Sequence, residues 1–228
     1  MSQHFLTDHS PRLVELAGPA GAGKSTTRRA LISRSRAGNG TIWGLPVLSL
    51  LLTGVELIPS FIPLWRQARS PLWEETRHMV RLRTLRRALQ RGGSERDAIV
   101  FDEGPIFAMA RLREFCHPIM RSEESEQWWR ATFHEWAGLV DLVVVLDAPD
   151  QLLAQRIRSR PEDHEVKQSS DQEIAAWMGR FRHALDWVLA GLALEEGITV
   201  LRLETSSDSP EQLAELALAA LDRGVYAG

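Results

Sequence analysis

This chain of 228 residues lacks most of the features that would place it outside the ordinary globular proteins. It has one cysteine, Cys116, so it can form neither an internal disulfide framework nor a cysteine-based zinc cluster. Its net charge of −3 gives it no global attraction to nucleic acid. The N-terminal MSQHFLTDHSPR has no apolar core region, so we expect no secretory signal. These absences fit a protein of the reducing cytoplasm.

The sequence also lacks an uninterrupted apolar run that would predict a membrane span. The most apolar segment, GLPVLSLLLTGVELIPSFIPLW at 44–65, contains Glu56 and the prolines Pro46, Pro59 and Pro63. A transmembrane helix needs about 20 consecutive apolar residues, and proline interrupts helices. We therefore predict one or two buried helical pieces with breaks at the prolines, and no membrane span.

Short apolar runs alternate with helical patterns along the chain. The runs that predict buried strands are 12–17, 41–46, 98–102, 141–147 and 198–203. The patterns that predict helices are 24–35, 71–91, 123–138, 150–160, 171–191 and 209–222. Such alternation is typical of the α/β class. We predict a three-layer doubly wound fold, with a five-stranded parallel sheet and helices on both faces, in one domain over 1–228.

The segment after the first predicted strand matches the phosphate-binding pattern G-x-x-x-x-G-K-[ST] at every fixed position. Glycines allow backbone N–H groups to surround phosphate oxygens, and the following helix presents its positive end to the anion. Lys24 would reach the β- and γ-phosphate oxygens, and the Ser25 hydroxyl would hold Mg²⁺. The predicted nucleotide-binding residues are Gly18, Ala20, Gly21, Ala22, Gly23, Lys24, Ser25 and Thr26.

An acidic turn follows the third predicted strand, in AIVFDEGPIF at 98–107. Ligands of doubly wound sheets bind outside the carboxyl ends of the strands, so these carboxylates would face the phosphates. Asp102 would hold Mg²⁺ through water, and either Asp102 or Glu103 would accept a proton from an attacking hydroxyl. The sequence does not decide between the two carboxylates, and a solvated strand-end turn is the alternative.

The phosphate-binding loop, the acidic turn and VVVLDAPDQLLAQRIRSR at 143–160 together resemble the P-loop nucleoside and nucleotide kinases, in particular the thymidylate-kinase-like branch. This resemblance implies ATP as the nucleotide and a helical lid over about 156–175. It further implies that Arg156 lies near the adenine or the phosphates, and that Arg160 reaches the transferring phosphoryl group. A spacing of four residues also predicts that both arginines share a helix face.

The polar segment PEDHEVKQSSDQEI at 161–174 reads as the loop of this lid. His164 and Lys167 would either join the anion site or be ordinary exposed loop residues. Further on, LRLETSSDSPEQLAEL at 201–216 resembles the family's loop that lines the adenine pocket. That resemblance places Ser206, with Thr205 and Ser207, beside the nucleotide.

The acceptor side departs from the family pattern. Asp102-Glu103-Gly104-Pro105 replaces both the Asp-Arg of thymidylate kinases and the Glu-Arg-Ser of deoxynucleoside kinases, so the acceptor stays open. Its site would lie between a helical region at about 43–95 and residues 104–137. Glu103, Arg77 and Arg111 are the predicted acceptor contacts, although Arg77 could instead belong to a solvated helix face. The aromatic set Trp129, Phe133 and Trp136 predicts core packing, with a stacking platform as the alternative.

These observations favour an Mg²⁺-dependent kinase that transfers the γ-phosphoryl group of ATP to a hydroxyl or phosphate of a small molecule. The catalytic set would be Lys24, Asp102, Glu103, Arg156 and Arg160. A regulatory nucleotide switch, a kinase for a hydrophobic or lipid-linked acceptor, and an enzyme acting on nucleic-acid ends remain alternatives. The apolar segment would also suit a homodimer interface.

Overall fold

The computed structural model describes residues 11–91, 96–161, 163–195 and 198–223. The N-terminal segment in which we expected no secretory signal lies largely outside the described residues. The same is true of 92–95, at the end of the predicted acceptor-side region, and of residue 162 in the lid.

A parallel five-stranded sheet forms the centre of the molecule, as predicted, with strand order β2-β3-β1-β4-β5. The strands are β1 (Arg12–Ala17), β2 (Ala37–Asn39), β3 (Ala98–Phe101), β4 (Leu142–Asp147) and β5 (Thr199–Glu204). The central strands β1 and β4 are mostly apolar because helices cover both of their faces.

Eight α-helices surround the sheet within the described residues. They are α1 (Lys24–Arg34), α2 (Val47–Ala68), α3 (Trp73–Arg91), α4 (Pro105–Phe115), α5 (Glu126–Ala137), α6 (Asp150–Ser159), α7 (Asp171–Ala193) and α8 (Pro210–Arg223), with short 3₁₀ turns at Pro118–Arg121 and Glu123–Ser125. From β1 the chain crosses toward the β2 edge of the sheet, and from β3 it crosses toward the β5 edge. Because both crossovers are right-handed, α1 and α4 lie on opposite faces of the sheet. Accordingly α1 packs with α8, and α4 packs with α7.

The direction of chain progression reverses between β1 and β3. The carboxyl ends of these two neighbouring strands therefore border the crevice where doubly wound folds bind ligands. The phosphate-binding loop leaves β1 and the acidic turn leaves β3, so the two motifs meet at the same edge of the sheet.

The second strand lies at Ala37–Asn39, and the predicted strand at 41–46 was wrong. The apolar residues of TIWGLP favoured the wrong segment, because β2 forms through its backbone pairing with β3 and has no apolar pattern of its own. Ala37 pairs with Ala98 and Asn39 with Val100, at an edge where three small or polar residues suffice. Gly40 then passes so close to the Phe101 ring that a side chain there would collide with it.

The apolar segment forms one continuous helix, α2, that begins directly after Pro46, so the predicted breaks at Pro59 and Pro63 and the predicted burial were wrong. Pro59 and Pro63 lie inside the helix, and only the face with Thr53, Phe61 and Leu64 is buried. Among the described helices, α2 alone is long and apolar enough to cross a membrane by length and composition. Seven of its large apolar side chains are exposed instead of buried: Val47, Leu48, Leu51, Leu52, Val55, Ile58 and Ile62.

Helix α4 was not among the predicted helices. Proline suits the first position of a helix, where its missing N–H would have no intrahelical partner. Pro105 occupies that position in α4. The predicted core packing of Trp129, Phe133 and Trp136 is confirmed, since all three side chains are buried on α5.

Candidate active site

The loop between β1 and α1 has the backbone that a phosphate cradle requires. Gly18, Gly21 and Gly23 have φ values of 136°, 83° and 84°, in the region that favours glycine. A Cβ atom at Gly18 would collide with the Leu146 carbonyl oxygen, and one at Gly21 would lie 2.9 Å from the Leu153 carbonyl oxygen. Gly18 and Gly21 therefore need glycine both for conformation and for space, whereas Gly23 needs it for conformation alone.

Lys24, the first residue of α1, folds back over the loop. Its Nζ donates hydrogen bonds to the carbonyl oxygens of Gly18 at 2.7 Å and Pro19 at 2.9 Å. Burial lowers the pKa of Lys24 to about 8, and the positive charge of Arg160 adds to this effect. A cation held this way can turn from the loop carbonyls to an incoming anion.

The acidic turn lies beside the loop, and both of its carboxylates have partners. Asp102 accepts a hydrogen bond from Arg28 at 2.9 Å, and the same guanidinium donates to Asn39 at 2.6 Å. Glu103 accepts from the indole Nε1 of Trp43 at 3.0 Å. The turn is thus tied to α1, to the end of β2 and to the segment before α2.

The acidic turn and the start of α4 are bound by a buried carboxylate, Glu15 on β1, that was not predicted from the sequence. It is fully buried and accepts hydrogen bonds from the backbone N–H groups of Gly104, Ile106 and Phe107, at 3.2, 2.8 and 2.8 Å. Burial raises the pKa of Glu15 to about 7, although the three hydrogen bonds act in the opposite direction. The signal was present in the sequence, because a charged residue interrupts the otherwise apolar RLVELA.

A cavity of about 390 Å³ opens between the loop, the acidic turn and the lid. It is lined by Gly18, Ala20, Lys24, Ser25, Asp102, Glu103, Phe107, Arg111, Arg160, Asp163, His164, Glu165, Trp177 and Phe181. One wall is aromatic: the rings of Trp177 and Phe181 stack with centroids 6.0 Å apart, and Phe107 lies 5.9 Å from Phe181. This wall comes from α4 and α7, so the space combines an apolar wall with a charged rim.

A second cavity, of about 350 Å³, lies on the other side of the loop, between α6 and the segment after β5. Gly21, Gly23 and Thr26 line it, together with Arg156 and Thr205. Arg156 donates to the hydroxyl of Thr205 at 2.8 Å and to its carbonyl oxygen at 2.7 Å, and also reaches the Gly21 carbonyl oxygen at 3.3 Å. It therefore joins the phosphate loop to the wall of this cavity.

Arg160 lies where the two cavities meet, since it lines both. The prediction that Arg156 and Arg160 share a helix face was wrong, because α6 ends at Ser159 and Arg160 is extended. Lys167 donates to the Arg160 carbonyl oxygen. At the far end of the lid, a capping box between Ser170 and Glu173 begins α7.

The predicted acceptor contacts are separated in the structure. Arg111 lines the first cavity and pairs with Glu165 at 3.3 Å, so it lies with Glu103. Arg77 lies elsewhere, on a groove between α2 and α3. His78 is buried beside these arginines, and its pKa is lowered to about 4 by burial and by the charges of Arg111, Arg77 and Arg81.

Three other predicted positions have local roles. The Ser206 hydroxyl donates to Glu204 and does not line the second cavity, unlike the neighbouring Thr205. Ala22 is fully buried within the loop. His164 lines the first cavity with its ring edge-on to Trp177, and burial lowers its pKa.

No protein-family model matches the sequence, and a comparison with curated proteins gives no significant match. Among solved structures, deoxyadenosine kinase from M. mycoides with the products dCMP and dCDP is similar, with a TM-score of 0.52 and 12% identity, over 92% of this chain and 99% of that chain. The same enzyme with bound dATP gives a TM-score of 0.51 and 13% identity over the same shares. Shikimate kinase from Acinetobacter baumannii with shikimate gives 0.45 and 16%, over 94% of each chain.

The first two likenesses confirm the predicted fold: this chain has the α/β fold of the P-loop kinases. They do not single out the thymidylate-kinase-like branch to which the sequence motifs pointed.

Proposed function

We propose that this protein is a kinase that transfers the γ-phosphoryl group of ATP to a small-molecule acceptor. One observation carries the proposal: two cavities of similar size meet at the phosphate-binding loop, and Arg160 lines both. A transferase needs such a pair of spaces, one for the nucleotide and one for the acceptor. The phosphoryl group would pass at their junction, between Lys24 and Arg160.

The residues at the junction supply positioning and charge, which carry most of the rate in phosphoryl transfer. The loop N–H groups and Lys24 would neutralise the β- and γ-phosphates. Arg160 would bind the charge that spreads over the phosphoryl oxygens in the transition state. Glu103, on the acceptor side, would orient or deprotonate the attacking hydroxyl.

The cavity at Arg156 would hold the nucleoside part of ATP. Arg156 fixes Thr205 and the loop at Gly21, so it would shape this space instead of contacting the phosphoryl group. The first cavity would hold the acceptor, because Glu103, Arg111 and the aromatic wall line it.

The oxygen donors at the junction fit Mg²⁺. Ser25 and Asp102 line the same cavity as Lys24, and hydroxyl and carboxylate oxygens are ligands that this ion prefers. Within the described ranges no group of three or more His, Cys, Asp or Glu side chains could hold a metal. A Mg²⁺ ion that takes most of its ligands from phosphates and water needs no such group. When bound, it would neutralise charge on the phosphate oxygens.

The test is ADP release from ATP and Mg²⁺ by the purified protein, alone and with pools of nucleosides, nucleoside monophosphates, sugars, aminoglycoside-like alcohols and lipid-linked alcohols. We expect one pool to raise the rate well above the rate without acceptor, and Lys24→Ala to abolish the increase while its circular dichroism spectrum stays unchanged. A rate that no pool changes and that depends on a protein partner would instead indicate a nucleotide switch.

A further inference from the structure

Helix α2 turns a continuous apolar face to the outside. Val47, Leu48, Leu51, Leu52, Val55, Ile58 and Ile62 are between 42% and 71% exposed. At 3.6 residues per turn these positions fall within an arc of about 140°. The buried face, with Thr53, Phe61 and Leu64, lies on the opposite side of the helix and packs toward α3. A contiguous exposed apolar surface of this kind marks an interaction site.

Arginines border this face. Arg66 ends it on the same side of the helix, and Arg69 follows as the C-cap. In the described part of the chain neither has a carboxylate within 4 Å. A groove of about 480 Å³ runs along the face between α2 and α3, where Arg77 and Arg81 join Val55 and its apolar neighbours.

Neither arginine of the groove has a strong ion pair. Arg77 pairs at 3.4 Å with Glu74, but both side chains are more than half exposed, so the pair is weak. Arg81 lies over the Trp43 ring, 4.4 Å from its centroid, and its buried Nη1 has no hydrogen-bond partner. No carboxylate of the described residues pairs with Arg81, so its charge adds to the positive border of the face.

Two exposed tryptophans accompany the face. Trp73 begins α3, just after the end of α2, and is 73% exposed, while Trp43 precedes α2 and is 37% exposed. Indole rings have an apolar body and a polar N–H, and they concentrate where hydrocarbon meets lipid headgroups.

We propose that α2 docks this protein onto an anionic lipid bilayer, with the helix lying in the plane of the surface. Its apolar face would enter the boundary between headgroups and acyl chains, and the bordering arginines would bind lipid phosphates. The helix lies on the bilayer and does not span it, because its other face is packed on the protein and Glu56 pairs with Arg87 at 2.5 Å.

Charge favours a lipid surface over a second copy of the chain. A two-fold dimer through α2 would place the same positively bordered patch on both subunits, with no acidic border to complement it. Anionic headgroups supply the charge opposite to Arg66, Arg69, Arg77 and Arg81, while the exposed Glu56 and Glu74 beside the face each pair with an arginine. The surface lies next to the first cavity, since Trp43 contacts both Arg81 and Glu103. The proposal does not depend on the kinase proposal.

The test is co-sedimentation of the full chain with vesicles of phosphatidylcholine alone and of phosphatidylcholine mixed with phosphatidylglycerol. We expect binding to the mixed vesicles to be at least roughly tenfold stronger, and to weaken as salt rises. The double variant Leu48→Ser/Leu52→Ser should lose roughly tenfold or more of this binding. Leu194→Ser, at an 88% exposed leucine on the end of α7, is the matched control and should bind like the parent.

The charge contribution is tested with Arg77→Gln, which should weaken binding to the mixed vesicles about fivefold. Arg130→Gln, at an exposed arginine of α5, should change nothing. Lys24→Ala should bind vesicles like the parent, so that loss of ADP release and loss of docking are separate results. The proposal is overturned if the parent binds neither kind of vesicle, or if the Leu48→Ser/Leu52→Ser variant binds as well as the parent. It is also overturned if the parent is a dimer that dissociates in the Leu48→Ser/Leu52→Ser variant and not in the other variants.

Discussion

Replacing Glu15 by glutamine should remove a pH dependence from the stability of the protein. In the folded state burial raises the Glu15 pKa from 4.5 to about 7. Between these two values the unfolded chain releases a proton that the folded protein retains, so a rise in pH favours unfolding. Applying 1.36 kcal/mol for each pKa unit, this carboxyl lowers the free energy of unfolding by about 2 to 3 kcal/mol between pH 5 and pH 8.

Glutamine resembles the protonated carboxyl in shape and does not titrate. It keeps one acceptor oxygen for the N–H groups of Gly104 and Phe107 but cannot accept from Ile106, so we expect the variant to fold with a modest loss at pH 5. We measure the free energy of unfolding by urea titration followed by tryptophan fluorescence. Relative to the parent, the variant should gain about 2 to 3 kcal/mol in this free energy between pH 5 and pH 8. Glu123→Gln, at an exposed position, serves as control. Parallel pH profiles for the parent and Glu15→Gln would refute the account of this carboxyl.

Three further outcomes follow from the site. Gly18→Ala should lower the free energy of unfolding by about 2 to 4 kcal/mol in a urea titration, because a Cβ there collides with the Leu146 carbonyl and Gly18 has a positive φ. The control Gly179→Ala in α7, where a Cβ meets nothing within 4 Å, should be neutral or slightly stabilising. Arg160→Ala should lower kcat more than nucleotide affinity, and Arg156→Ala should lower nucleotide affinity more than kcat. Steady-state kinetics and nucleotide titrations measure the two quantities, and the opposite order would contradict these roles. Near pH 8 the protein should take up a proton when it binds ATP, because the bound phosphate raises the Lys24 pKa from about 8. Calorimetry in buffers of different ionisation enthalpy measures this uptake, and Lys24→Ala should show none.

The parts of the fold that depend on local pattern could be predicted from the sequence. The loop at Gly18–Ser25 needs particular residues at fixed spacing, and β4 is a run of five consecutive apolar residues before Asp147, so each is visible in a short window. By contrast β2 is Ala37–Asn39, whose strand character comes only from pairing with β3. No local pattern distinguishes such a segment from a turn.

The candidate site shows the same division. Lys24, Ser25, Asp102 and Glu103 were predicted from motifs and line one cavity. The aromatic wall was not predicted, because Phe107 and Trp177 lie on different helices and only packing brings them together. The exposure of α2 was anticipated only through the alternative of a dimer interface, since apolar composition does not tell which face is covered.

The most direct test of the kinase proposal follows the terminal phosphate of ATP labelled at the γ position. After incubation with the acceptor pool that raises ADP release, we predict that the label leaves ATP and appears in an organic acceptor in proportion to the ADP formed. We also predict that Lys24→Ala forms no labelled product. Label that appears only as inorganic phosphate, at a rate the acceptor does not change, would contradict the proposal and identify the protein as an ATPase.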